Sequence, residues 1–207
     1  MNVLFLHGCR QNSEIYMQIM SNYIKMISKL APGSKFYGLD GPFQYNGELE
    51  NHLNQKGLSA VNLGESSRMW YETVLRIESI GFDNTPHEHI IFTLDYLEMK
   101  IELHDIDILI GFSQGANLVD TYVRLRNLNS KIKKVIIFNG YTFPRYETLL
   151  PNVQKGIIVT SQSDEIVPPH TLCNNYLNSS YFEHEKGHKI KTNNSFIRTV
   201  VQSLISE

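Results

Sequence analysis

The stretch "DILIGFSQGANLVD", residues 107–120, constrains this chain more than any other. A continuous aliphatic run ends at Ser113, held between Gly111 and Gly115, and the residues that follow place Ala116, Val119, Tyr122 and Val123 on one helical side. The pattern reads as a buried parallel strand, a sharp turn and a helix. In a GxSxG elbow the turn is so tight that the residues two before and two after the serine must lack side chains. The serine hydroxyl then stands above the sheet at a helix N-terminus, where a backbone N–H and the helix field favour a developing oxyanion.

The rest of the chain has to supply a sheet for that elbow, and apolar runs of strand length do alternate with helical periodicities. "NVLFLH" (2–7) and "SKFYGLD" (34–40) read as strands, and "KKVIIFNG" and "GIIVTSQ" as two more. Between the first two, 14–30 reads as one helix with Tyr16, Ile19, Met20, Tyr23, Ile27 and Leu30 on its inner stripe, capped by Asn12 or Ser13. Met17, Met20 and Met26 are expected to pack in that helix's core face. Further helices are expected over about 88–103 and from about Asn194, the last carrying Phe196, Ile197, Val200, Val201 and Leu204. Such alternation argues for an α/β fold with a mainly parallel central sheet and helices on both faces. With 207 residues and no repeat or linker, one domain over 1–207 is expected. Residues 43–69, rich in Asn, Gly, Gln, Glu and Ser, form its one long excursion, read as a lid or pocket segment.

Composition narrows the function classes. A net charge of −2 offers no polyanion-binding surface, and "KIKK" at 131–134 reads as a solvated strand entrance, so no nucleic-acid partner is expected. Two cysteines, Cys9 and Cys173, make no disulfide framework, which favours a reducing compartment. "MNVLFLHG" reads as a strand, not as a signal peptide or membrane span.

A serine nucleophile needs a base, and the base an orienting carboxylate, in the chain order Ser, acid, His. "GIIVTSQSDEIVPP" places Asp164 in a loop after a strand, with Glu165 as the rival acid. "EHEKGHKI" places His188 after Gly187, with His184 as the rival base. The strand followed by small polar residues favours Asp164, and the adjacent glycine, which lets the backbone present an imidazole, favours His188. "LFLHGCRQN" supplies the loop after the first strand, so the N–H groups of Cys9 and Gln114 are the expected oxyanion donors.

The segments "LFLHGCRQN", "YGLDGPF", "SRMWY", "GFSQGA", "VIIFNGYTFP", "SQSDEIVP" and the late "GH" resemble the FSH family of serine hydrolases, which includes the homologues of ovarian-cancer-associated protein 2. The resemblance runs from residue 2 to the final helix. It implies the α/β-hydrolase fold and a cytosolic carboxylesterase or thioesterase acting on small acyl esters or thioesters. Its triad would fall on Ser113, Asp164 and His188, and its chemistry needs no metal or organic cofactor.

Trp70, Tyr71, Tyr141 and Phe143, expected at strand ends and in the excursions, are the candidate substrate-binding residues, Tyr141 foremost because it follows "FNG" past a strand's C-terminal end. His87 and His89 flank Glu88, but no second cluster has ligand spacing, so no metal site is expected. A Cys9 thiol nucleophile is the weaker rival to the elbow serine. Two other readings of the whole chain stay open: a noncatalytic binding protein on the same scaffold, and a peptidase or lactonase.

Overall fold

The computed structural model describes residues 1–45, 66–72, 85–146, 149, 153, 155–167, 172, 176 and 178–206. In chain order the elements are β1 (Asn2–Leu6), α1 (Ser13–Ile19), α2 (Ser21–Leu30), β2 (Lys35–Leu39), β3 (Phe43–Gln44), β4 (Arg68–Met69), α3 (His87–Leu103), β5 (Ile108–Phe112), α4 (Gln114–Leu125), β6 (Lys134–Phe138), β7 (Lys155–Ser161), β8 (Ser179–His184) and α5 (Asn194–Ile205). Among the described residues, six strands form one sheet in the order β2-β1-β5-β6-β7-β8, every neighbouring pair parallel.

Period-two alternation divides the central strands between two cores. Val3, Phe5, Ile108, Ile110, Ile136, Phe138, Ile157 and Val159 face a cluster completed by Tyr16, Met20, Tyr23 and Ile27 and by Ile197, Val200, Val201 and Leu204 of α5. Leu4, Leu6, Leu109, Val135, Ile137 and Ile158 face the other, with Ile90, Leu94, Leu97 and Ile101 of α3 and Val119, Tyr122 and Val123 of α4. Apolar side chains on both faces of the same strands are what a sheet covered by helices on either side requires.

The structure departs from the sequence reading in several places. The helix expected over 14–30 is two helices that meet at Met20. The i→i−4 bonds Met20 N–H to Tyr16 O and Ile24 N–H to Met20 O run through the step, so the ladder persists. On the expected stripe, Tyr16, Met20, Tyr23 and Ile27 are buried, whereas Ile19 is half-buried and Leu30 is exposed at the helix end. Met20 is the core methionine; Met17 and Met26 are half-buried. Phe196 of α5 is likewise half-buried, stacked edge-on against Phe182 and His184.

Two further departures concern strands. β8, "SSYFEH", has neither an apolar run nor clean alternation, and it is a strand because β7 offers it an edge to pair with. In the excursion expected at 43–69, the described ends are clasped: Phe43 pairs with Met69, Gln44 with Arg68, and Tyr45 N–H donates to Ser67 O. Residues 46–65 of that excursion lie outside the described residues.

Candidate active site

β5 ends at Phe112, and Ser113 takes φ 53° and ψ −116°, a left-handed backbone that is strained for a residue with a side chain. The flanking glycines make the turn possible. A Cβ on Gly111 would lie 2.5 Å from Gly115 O, and one on Gly115 would lie 2.3 Å from Leu6 O and 2.5 Å from His7 O. The N-terminus of α4 is therefore pressed against the C-terminal end of β1, which brings the 8–11 loop beside Ser113. The Ser113 N–H donates to Phe138 O at 3.0 Å, tying the elbow to β6.

Three side chains from three separate strand ends meet above the sheet. His188 Nε2 lies 2.8 Å from Ser113 Oγ, and His188 Nδ1 lies 2.8 Å from Asp164 Oδ2. The Asp164 side chain is fully buried and that of His188 is 15% exposed. With Nδ1 as the N–H facing a carboxylate, Nε2 is left as the acceptor of the serine proton. Gly187, at φ 62°, donates its N–H to Ser161 Oγ and turns the chain so that the next residue presents its ring over Phe112. Asp164 is saturated with donors: Oδ1 accepts the N–H groups of Ile166 and Val167, and Oδ2 accepts from His188 and from the Asn139 amide. Burial would push this carboxyl up, but the hydrogen bond and charge of His188, the Val167 N–H and the Asn139 amide outweigh it and hold the group below its ordinary value.

The rival residues are placed elsewhere. Glu165 is exposed. His184 ends β8 with its ring against Phe196 and its Nδ1 accepting from the Lys186 N–H; its burial lowers its pKa. Cys9 is half-buried, and burial pushes its thiol up to about 12, which favours the protonated form at neutral pH.

Cys9 lies in the turn after β1 and Gln114 opens α4, both beside the elbow. Their surroundings are fixed by side chains that no local sequence pattern singles out. Gln11 Oε1 accepts the Gly8 N–H, and Arg10 and Gln11 exchange backbone bonds with Arg68. Gln114 Oε1 accepts the Trp70 N–H while its Nε2 donates to Tyr71 O. His7, fully buried, pairs its Nδ1 with Gly8 O, accepts the Gly41 N–H at Nε2 and stacks on Trp70.

Trp70, Tyr71, Tyr141 and Phe143, expected as pocket residues, are all buried in core packing. Trp70 Nε1 donates to His7 O; the Tyr71 hydroxyl donates to Asn117 Oδ1 and meets the Tyr141 hydroxyl at 2.9 Å; Tyr71 and Tyr141 pack against Phe143. Large aromatic area next to a sheet edge is worth more buried than wet, and the two hydroxyls find partners inside. Asn139, which no sequence argument reached, is fully buried beneath Asp164. Its visible signal is an Asn-Gly pair at a strand end, a place that tolerates its φ of 48°.

His87 Nδ1 faces the Tyr146 hydroxyl at 3.5 Å and His89 faces Glu72 at 3.9 Å, so the two diverge. No helix among the described residues is long and apolar enough to cross a membrane.

The fold recurs in solved structures. Esterase PE8 superposes with a TM-score of 0.71 at 17% identity, over 98% of this chain and 90% of that one. The Bacillus cereus carboxylesterase gives 0.66 at 13%, over 97% and 85%, and a carboxylesterase from Mesorhizobium loti gives 0.67 at 15%, over 100% and 88%. At such identities these likenesses establish the α/β-hydrolase fold and nothing finer. No curated protein matches the sequence. The family profile described as Serine hydrolase (FSH1) matches residues 1–200, nearly the whole chain and every strand described above. A serine raised on a strained elbow within reach of an imidazole is what that family's name requires, and the chain belongs to it.

Proposed function

We propose that this serine hydrolase cleaves carboxylic esters or thioesters of acyl chains through an acyl-enzyme on Ser113, with His188 as general base and acid and Asp164 as its orienting carboxylate. The observation that carries the reading is the unbroken chain of two 2.8 Å contacts from Ser113 Oγ through the His188 ring to Asp164 Oδ2. As the Ser113 oxygen attacks the acyl carbonyl, its proton passes to His188 Nε2, and the imidazolium is held by the ionised Asp164. The N–H groups of Cys9 and Gln114 receive the oxyanion, each worth about 3 kcal/mol in comparable sites. Collapse expels an alcohol or thiol that takes the proton from Nε2. Water, deprotonated by the same nitrogen, then releases the acid. The cycle consumes only water and substrate.

In this reading Trp70, Tyr71, Tyr141 and Phe143 support the acyl site from behind, by fixing the elbow helix and the 8–11 loop. A cytoplasmic setting suits a chain of 207 residues with two cysteines. The test is labelling of the purified protein with a fluorophosphonate probe and mapping of the modified peptide, beside turnover of p-nitrophenyl esters and acyl thioesters of rising chain length. Labelling confined to Ser113, and loss of turnover by a factor on the order of 10³ or more in Ser113→Ala, are expected. Labelling at another residue, or full turnover by Ser113→Ala, overturns the proposal.

A further inference from the structure

We infer that Asn139 is a positioning residue for the same chemistry: its amide locks the acid and histidine loops together and holds Asp164 in the form that orients His188. The inference rests on the proposed triad. Asn139 follows β6 directly, is fully buried, and anchors its own N–H on Val159 O of β7 at 2.8 Å. Its Nδ2 donates to Asp164 Oδ2 at 2.6 Å, the same oxygen that meets His188 Nδ1, and also to Gly187 O at 3.3 Å, one residue before His188.

The orientation of the amide is forced. Both neighbours are acceptors, so turning the amide over would set its oxygen against a carboxylate and a carbonyl. The consequence is visible on the other side, where Asn139 Oδ1 is buried with no hydrogen-bond partner among the described residues. A buried acceptor left unpaired is costly, and the left-handed backbone adds strain for a non-glycine residue. A residue that served packing alone would need neither feature. Both follow if the position must deliver one N–H donor to Asp164 from a rigid strand end.

Two variants separate this role from a structural one. Asn139→Gly keeps the left-handed backbone and deletes the amide; Asn139→Asp keeps the shape and replaces the donor by an acceptor. In Asn139→Gly, kcat on a p-nitrophenyl ester is expected to fall by on the order of tenfold or more with KM held within about twofold, since only orientation of the reacting groups is disturbed. In Asn139→Asp the introduced carboxyl can donate to Asp164 only while protonated, so kcat should fall with rising pH where the wild-type curve is flat. The proton on His188 Nδ1, observed at low field by NMR, should shift in both.

Wild-type kcat with an unmoved low-field resonance in a folded Asn139→Gly overturns the inference, as does an Asn139→Asp profile that parallels the wild type. If Asn139→Gly does not fold, the isosteric variant carries the test. Should the wild type neither label nor turn over esters, the proposed activity fails, while the resonance shift still decides whether Asn139 holds the Asp164–His188 pair.

Discussion

At the scale of single residues, the site depends on positions where one more carbon has no room. Gly115 is the clearest, because its missing Cβ would sit 2.3 Å from Leu6 O, a backbone atom of the central sheet that cannot swing aside. Gly115→Ala should destabilise the fold by about 3 kcal/mol or more, since the elbow helix has to move off β1. Urea unfolding would measure that loss, and an unchanged midpoint would show that β1 and α4 are less tightly pressed than the geometry implies. The GxSxG spacing made this glycine legible in the sequence. Asn139 was not, because its Asn-Gly pair marks only a turn at a strand end, while the carboxylate its amide reaches lies 25 positions away.

At the scale of elements, α4 does more than carry Ser113. Its Asp120 and Arg124 form an ion pair with no side-chain exposure, Oδ1 at 2.9 Å from Nε. Oδ1 also accepts from the Tyr176 hydroxyl and Oδ2 from Thr142, while Arg124 Nη1 donates to the carbonyls of Tyr146 and Leu149. Burial pushes the Asp120 carboxyl up, against the pull of Arg124 and the two hydroxyls. The pair thus ties α4 to the chain that leaves β6. Removing one partner strands a buried charge: Asp120→Ala should cost about 3–5 kcal/mol, and Asp120→Ala with Arg124→Leu less than that, by thermal or denaturant unfolding. A double variant worse than the single one would contradict this account. The sequence showed a helix here with one apolar side, but nearly every residue of α4 is buried, polar ones included. That is decided by the elements packed around it, not by its periodicity.

At the scale of the whole molecule, His7 is where three distant stretches are fastened. Its ring lies between the Gly41 N–H and Trp70, and its own carbonyl accepts the Trp70 indole N–H. Desolvation by burial lowers its pKa from 6.5 to about 4. The unfolded chain therefore binds a proton between those two values that the folded chain does not. His7 accordingly contributes its full stability above about pH 6.5 and loses it as pH falls toward 4, by up to about 3 kcal/mol. His184, lowered by burial, acts in the same direction, and Asp120, raised by burial, in the opposite one. The difference in unfolding free energy between wild type and His7→Gln across that range isolates the His7 share, and a difference that does not vary with pH would refute it. By itself the sequence determined the alternating α/β order, the central strands and the elbow, because buried parallel strands and a side-chain-free turn must be written in local composition. It also put Asp164 in a loop after a later strand and His188 in a loop before the last helix, in the chain order a serine hydrolase needs. Only the tertiary structure decided that β8 pairs, that the four aromatics are core, that Met20 divides a helix and that Asn139 lies under Asp164. Each of these depends on which surfaces meet across long stretches of chain, and burial, edge pairing and a buried amide's partner have no counterpart in the order of neighbouring residues.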